Sequence, residues 1–178
     1  EMYKFRELVK ASKKETEGKE YRLAVLGNVA TQFLSQAIGG YAHLSGMNLK
    51  VFDADYNQID AQLLDPSSET YEFEPDYILL YLATDKLYEE FMERDASARG
   101  TFADDIMRKL SDYWDMISRN CKAKILQMGF TEIDDRAFGS FGARTEAAFS
   151  YQIRKLSFLL QEAESGRAGV YPVDLLSV

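Results

Sequence analysis

Three short polar stretches each follow an apolar run directly. Gly27-Asn28-Val29-Ala30-Thr31 follows Leu23-Ala24-Val25-Leu26, Asp53-Ala54-Asp55 follows Val51-Phe52, and Thr84-Asp85 follows Ile78-Leu79-Leu80-Tyr81-Leu82. Small and polar residues at the end of a buried strand, with a helical pattern after them, are how open α/β folds build a site. In the first stretch, backbone N–H groups of the turn and the helix start, with the Asn28 and Thr31 side chains, could face an oxyanion or a phosphate. The alternative is a plain strand-to-helix turn with Thr31 as helix N-cap. In the second stretch, Asp53 and Asp55 could act as acid, base or nucleophile, with Asp134-Asp135 completing a Mg²⁺ site. Neither G-x-G-x-x-G nor G-x-x-x-x-G-K-[ST] occurs at these places, which argues against nucleotide binding through those loops.

The elements that must position these residues follow from periodicity. Residues 2–14 place Tyr3, Phe5, Leu8 and Val9 on one helical face. The polar stretch 15–20 then reads as a linker, so residues 1–20 form an N-terminal amphipathic helix and linker, and 21–178 a single α/β domain. Strands are expected at 21–27, 48–52, 76–82, 123–128 and 170–175. Helices are expected from Thr31 to a stop at Gly46, at 57–64, over 86–120 with a break near 98–101, and over 145–163. Gly39-Gly40 inside the first of these long helices costs about 1 kcal/mol per glycine against alanine, and close packing on the sheet is the expected reason. The segment 129–144 reads as a loop long enough to suspect function. Five strands alternating with helices predict a three-layer α/β fold with a five-stranded parallel sheet, in the flavodoxin-like order 2-1-3-4-5. That order brings Gly27-Asn28, Thr84-Asp85 and the 129–144 loop to one edge of the sheet.

Composition narrows the function classes. The 178 residues are 46% hydrophobic and 13% aromatic, which supports a packed domain. The net charge of -8 disfavours nucleic acid, whose binding depends on cationic side chains, and anionic membrane surfaces. No apolar run approaches the ~20 residues of a membrane span. A single cysteine, Cys121, excludes an intrachain disulfide framework and points to a cytoplasmic setting. With one cysteine and one histidine, a zinc site has no ligand set. His43 is expected near a helix C-terminus, interacting with the last carbonyls. Trp114, with Leu110, Tyr113 and Ile117, reads as helix packing.

The D-x-D of residues 53–55 resembles the first motif of HAD phosphatases, although Tyr56-Asn57 replaces the expected continuation and the motif ends the second strand, not the first. A broader likeness lies in KASKKETEGKEYRLAVLGNVATQFLSQAI, in VFDADYNQIDAQLLDPSSETYEFEPDYILLYLATDKL and in FGSFGARTEAAFSYQIRKLSFLLQ. These segments, covering most of residues 5–165, resemble the N-terminal SGNH-hydrolase-like domain of FkbH-like proteins. Such proteins join this domain to a C-terminal HAD domain of subfamily IIIC and are associated with loading a glyceryl unit onto a carrier protein.

The start at Glu1 and the end at Val178, directly after an apolar segment, give the expectation of an excised piece of a longer protein, which the resemblance also implies. The resemblance implies the chain's own HAD domain and an acyl carrier protein as partners. It also implies no cofactor for this domain, with Mg²⁺ serving only the missing HAD domain. Against the SGNH pattern, Gly27-Asn28-Val29 stands where Gly-Asp-Ser carries the nucleophile. Leu82-Ala83-Thr84-Asp85 stands where Gly-x-Asn-Asp supplies the oxyanion Asn, and the Asp-x-x-His block is not found. An acyl-enzyme needs an activated nucleophile beside its base. The expectation is therefore a degenerate, non-catalytic domain that binds or positions a substrate or carrier-linked acyl group. Its candidate ligand contacts are Gly27, Asn28, Thr31, Asp53, Tyr56, Gln58, Thr84 and Asp85. The alternatives are an interaction or dimerisation domain without ligand, and a cryptic hydrolase or Mg²⁺-dependent phosphatase using Asp53 and Asp55.

Overall fold

A computed structural model of the chain describes residues 3–133 and 137–175. Strands β1 (Glu20–Gly27), β2 (Asn48–Asp53), β3 (Tyr77–Tyr81), β4 (Lys124–Met128) and β5 (Val170–Val173) form one sheet in the order β2-β1-β3-β4-β5. Every neighbouring pair is parallel, with Val25 opposite both Asp53 and Leu79. This is the predicted three-layer arrangement, and its central strand is apolar on both sides because helices cover both sides.

Period-two alternation divides the strand side chains between two cores. Ala24 and Leu26 of β1, Ile78 and Leu80 of β3, and Ile125 of β4 face one layer. That layer is made by α3 (Ile59–Leu64), α4 (Glu69–Glu72), α5 (Thr84–Glu93), α6 (Phe102–Asn120) and α7 (Phe149–Ser165). Phe91, Phe102, Trp114 and Phe149 fill it, with ring centroids 5.4 Å apart for Phe91–Phe102 and Phe91–Phe149. Trp114, Leu110 and Ile117 are fully buried, as the helical pattern predicts. Buried within β4, Gln127 takes a hydrogen bond from Trp114 Nε1 at 3.2 Å and donates to the carbonyls of Leu80 and Met128. A buried amide is tolerated only when its groups are partnered.

The opposite face carries Leu23, Val25, Leu79 and Met128, packed by Leu34 and Ile38 of α2 (Gln32–Leu44). Outside α2 lies α1 (Phe5–Ala11), with Leu8 and Ala11 buried. The glycine pair in α2 serves this helix contact, and at Gly39 the sheet as well, where an added Cβ would lie 3.8 Å from Val51 Cγ2 of β2. A Cβ on Gly40 would stand 2.4 Å from the carbonyl oxygen of Leu8, and one on Gly39 3.3 Å from the Cβ of Ser12. Gly46, at φ +74°, ends α2 as predicted, a conformation in which glycine carries no Cβ penalty.

The long helical stretch breaks as expected near 98–101, dividing into α5, a 3-10 segment at Ala96–Thr101 and α6. Other features differ from the sequence pattern. α7 starts at Phe149, four residues late, because 139–144 winds into a second 3-10 segment and 145–148 forms a turn in which the Ala148 N–H donates to the Thr145 carbonyl at 3.0 Å. β5 ends at Val173, short of Leu175. The single turn α4 lies in a polar stretch without helical periodicity. There Gln62 accepts from the Thr70 backbone and hydroxyl, which ties the turn to α3.

Candidate functional site

β1 ends where the chain must turn sharply. A Cβ on Gly27 would lie 2.6 Å from Thr31 Cγ2 and 3.2 Å from the carbonyl oxygen of Val29, so the turn closes only around glycine. Beyond it, polar residues tie the strand ends together. Asn28 accepts at Oδ1 from the Ala83 N–H at 2.8 Å, and its own N–H donates to the carbonyl of Tyr81 at 3.2 Å. These two bonds clamp the end of β1 to the end of β3. Thr31 is 2% exposed, and its hydroxyl donates to Asp53 Oδ1 at 2.5 Å, clamping the start of α2 to the end of β2. Thr31 occupies the N-cap position of α2, yet its side chain makes no cap hydrogen bond. Thr84, the first residue of α5, is also buried, and its hydroxyl accepts the Thr131 N–H at 3.1 Å. Four of the predicted ligand contacts, Asn28, Thr31, Asp53 and Thr84, are therefore engaged as braces between elements.

The remaining candidates are placed differently. Tyr56 is exposed beside Asn57, whose φ of +57° lies in the left-handed region. Asn57 donates its N–H to the Gly27 carbonyl at 3.3 Å. Gln58 and Asp85 are exposed at the starts of α3 and α5. Asp55 is exposed, and among the described residues no three Asp, Glu, His or Cys side chains come together as a metal site. Asp53 and Asp55 alone do not make a Mg²⁺ site, and Asp134-Asp135 lie outside the described residues. His43 lies in the last turn of α2, as expected, and its Nδ1 shares a 2.6 Å hydrogen bond with the Thr16 hydroxyl of the linker. Cys121 is half-buried, and burial raises its thiol pKa, which makes it a poor nucleophile.

Asn28 and Tyr56 line a cleft of about 240 Å³ at the carboxyl edge of the sheet, together with Asn57, Asp60, Lys86 and Tyr113. Tyr113 rises from α6, and its hydroxyl donates to Asp60 Oδ1 at 2.7 Å. Burial pushes its phenol pKa well up, and the bond to Asp60 adds to the shift, so Tyr113 stays a neutral donor. Lys86 pairs with Glu89 at 2.6 Å, which raises its pKa and keeps it charged. The lining contains no serine, cysteine or histidine. Such a cleft can orient a ligand by charge and hydrogen bonds, and its lining holds no Ser–His or Cys–His pair.

Sequence reasoning missed Asn57, Asp60, Lys86 and Tyr113. Asn57 alone had a local signal, since Asn is the non-glycine residue that most readily takes positive φ. Tyr113 reads as core from its helical period, and it is core apart from its hydroxyl.

The family model for the FkbH N-terminal domain matches residues 22–178. The chain belongs to the FkbH N-terminal domain family. This FkbH N-terminal domain is similar to the crystal structure of the N-terminal part of the protein BF1531 from Bacteroides fragilis. That structure contains a phosphatase domain complexed with Mg. The TM-score is 0.87 at 29% identity, and the match covers 99% of this chain and 46% of that one. The FkbH N-terminal domain thus spans about half the length of that neighbour. A match to the crystal structure of TesA has a TM-score of 0.49 and 10% identity, covering 83% of this chain and 74% of the other. No curated protein sequence matches the chain.

Proposed function

We propose that this FkbH N-terminal domain is a degenerate SGNH-like module that binds and positions a substrate, or a carrier-linked acyl group, for a HAD-type domain in the same protein. The observation that carries this reading is the use of the polar edge residues. Asn28, Thr31 and Thr84 are spent on braces between elements, while the cleft beside them presents Tyr56, Asn57, Lys86 and Tyr113 without a serine, cysteine or histidine. Val29 stands where an SGNH nucleophile would be, and the one histidine is held by Thr16. Pre-organised polar groups in a fixed cleft favour orientation of a ligand. Mg²⁺ belongs, in this reading, to the HAD domain, and the acyl carrier protein is the partner that delivers the ligand. A cytoplasmic setting fits the single free cysteine.

Calorimetry of this chain and of the full-length protein with acyl carrier protein and with phosphoglycerates tests the reading. Binding by both, weakened by Tyr56→Ala or Lys86→Ala, is expected. Binding by the full-length protein alone overturns it. Turnover of p-nitrophenyl acetate is expected at background, and turnover lost on Thr31→Ala or Asn28→Ala would restore a hydrolase.

A second reading, a docking domain without ligand, has its own support. Tyr3 and Phe5 of the N-terminal segment meet Tyr41 and Phe33 of α2 edge-on at 5.7 and 5.5 Å, and Phe33 is 74% exposed. Self-association lost on Phe33→Lys would favour it.

A further inference from the structure

We propose that the open strip of the sheet beside α2, running over β3, β4 and β5, is covered by the segment that follows β5 in the longer protein, as an amphipathic helix with an acidic edge. This rests on the reading that a HAD-type domain follows in the same protein. The strip holds a groove of about 370 Å³ on the face opposite helices α3 to α7. Ile38 and Met47 line it on the α2 side, and Tyr21, Leu23, Tyr77 and Leu126 line it from the strands. Register carries the strip on to β5, where Tyr171 stands opposite Leu126 and Val173 opposite Met128. Met47 is 46% exposed and Tyr171 45%, high values for side chains on an apolar strip.

Strand order explains why the helices of the domain leave this strip bare. A right-handed crossover puts its helix on the side of the sheet set by the direction of the step. The step from β1 to β2 runs one way and puts α2 on this face, against β1 and β2. The steps from β2 to β3, β3 to β4 and β4 to β5 all run the other way, which sends α3 to α7 to the opposite face. The same sense of winding carries a segment that turns back from β5 towards β1 onto the open face. Val173 and Leu175 already pack against the cluster on that side. Layered folds close the face of a sheet with helices. Chain for such a cover exists in the neighbour from Bacteroides fragilis, of which the match takes up only 46%.

Charge gives the chemistry of the segment. The groove lining carries no carboxylate. Lys124 Nζ lies 5.9 Å from the ring centroid of Tyr77 and 5.8 Å from that of Tyr171, and Lys19 Nζ lies 5.0 Å from that of Tyr21. Both lysines are exposed, and neither enters an ion pair among the described residues. The chain as a whole carries a net charge of -8, so cations left over beside an apolar groove are a local feature. They complement a helix with apolar residues on one face and Asp or Glu along its edge.

Two measurements on the full-length protein, with this chain as reference, test the proposal. Carbodiimide cross-linking with peptide mapping should join Lys124 or Lys19 to an Asp or Glu within about 30 residues beyond position 178, the reach of a short connection and one helix. Oxidation footprinting should find Met47 and Tyr171 modified at least about 5-fold more slowly in the full-length protein, the drop that takes a half-exposed side chain to core-like burial. Met92 and Phe158, exposed on the opposite layer, should keep their rates. In the full-length protein, Leu126→Glu should return Met47 and Tyr171 to the reference rates, and Lys124→Glu, at an exposed position, should raise them about 2-fold. Equal rates at Met47 and Tyr171 in the two proteins overturn the proposal, as does protection unchanged in both variants. Protection that grows with protein concentration, the mark of a second copy, overturns it, and so do cross-links confined to residues farther downstream. Protection of Tyr56 without Met47 and Tyr171 overturns it as well, and leaves the positioning role of the carboxyl edge standing.

Discussion

On one face of the sheet, helices α3 to α7 close over a core in which Phe91, Phe102, Trp114 and Phe149 are at most 1% exposed. On the other face α2 is the covering helix, and Tyr77, Leu126 and Val173 are only partly buried. An apolar groove of about 370 Å³ remains there, lined by Tyr21, Met47, Tyr77 and Leu126 among others. The two faces draw on similar side chains and differ in how completely helices cover them. Stability should therefore be concentrated on the closed face, while the thinner face tolerates change and holds α1 by close backbone approach.

The sharpest way to break this comparison is paired truncation. Trp114→Ala should cost about 3–5 kcal/mol in urea unfolding, a large part of the whole stability of a domain of this size. Leu126→Ala, at a position only partly buried, should cost less than about 1.5 kcal/mol. Equal losses would show that the thin face is as well packed as the closed one.

Glu164 of α7 sharpens the comparison from the closed side. It is 8% exposed, and among the described residues its Oε1 has no partner. Burial pushes its carboxyl up from 4.5 to about 7. The folded state therefore binds a proton that the unfolded state has released, so stability falls as pH rises from about 4.5 to about 7 and levels off above that. Urea midpoints across this range should show a loss on the order of 1–3 kcal/mol. Glu164→Gln should flatten that part of the profile.

Gly40→Val tests the thin face. The added side chain meets the Leu8 backbone, and overpacking of this kind costs about 1–3 kcal/mol. The loss should be local: amide exchange should speed up in α1 and stay slow in β1 and β3. Uniform loss of protection would mean that α1 is part of the common core. The smallest effect is expected at the carboxyl edge, where Thr31→Val removes one hydrogen bond to Asp53. Asp53 keeps access to water, so the cost should be near 1 kcal/mol, read from the same urea curves.

The strand order was legible in the chain because apolar runs and polar strand ends repeat with clear spacing. The carboxyl edge was legible as a place, through Gly27-Asn28, Asp53 and Thr84. What these residues do there was not. Thr31 reaches Asp53, Asn28 reaches Ala83, and Thr84 meets Thr131 across separations of 22, 55 and 47 residues. No local pattern encodes such partners. The same limit hid the closer approach of Gly39-Gly40 to the segment of α1, since a helical period marks two faces of a helix without saying what lies against each. The cleft residues Asn57, Lys86 and Tyr113 come from three separate elements, and only the fold brings them together.

Gln127 gives the sheet a means of proofreading. If β4 slid by one residue along β3, every side chain would change face, and the amide would leave the closed core for the thin side. Leu126 or Met128 would take its place against Trp114, whose indole N–H would lose its acceptor, and the bonds to Leu80 and Met128 would be lost with it. A hydrocarbon side chain at 127 would pack in either register almost equally well. The buried amide makes the wrong register expensive, and so fixes which edge of β4 is left for β5 to join.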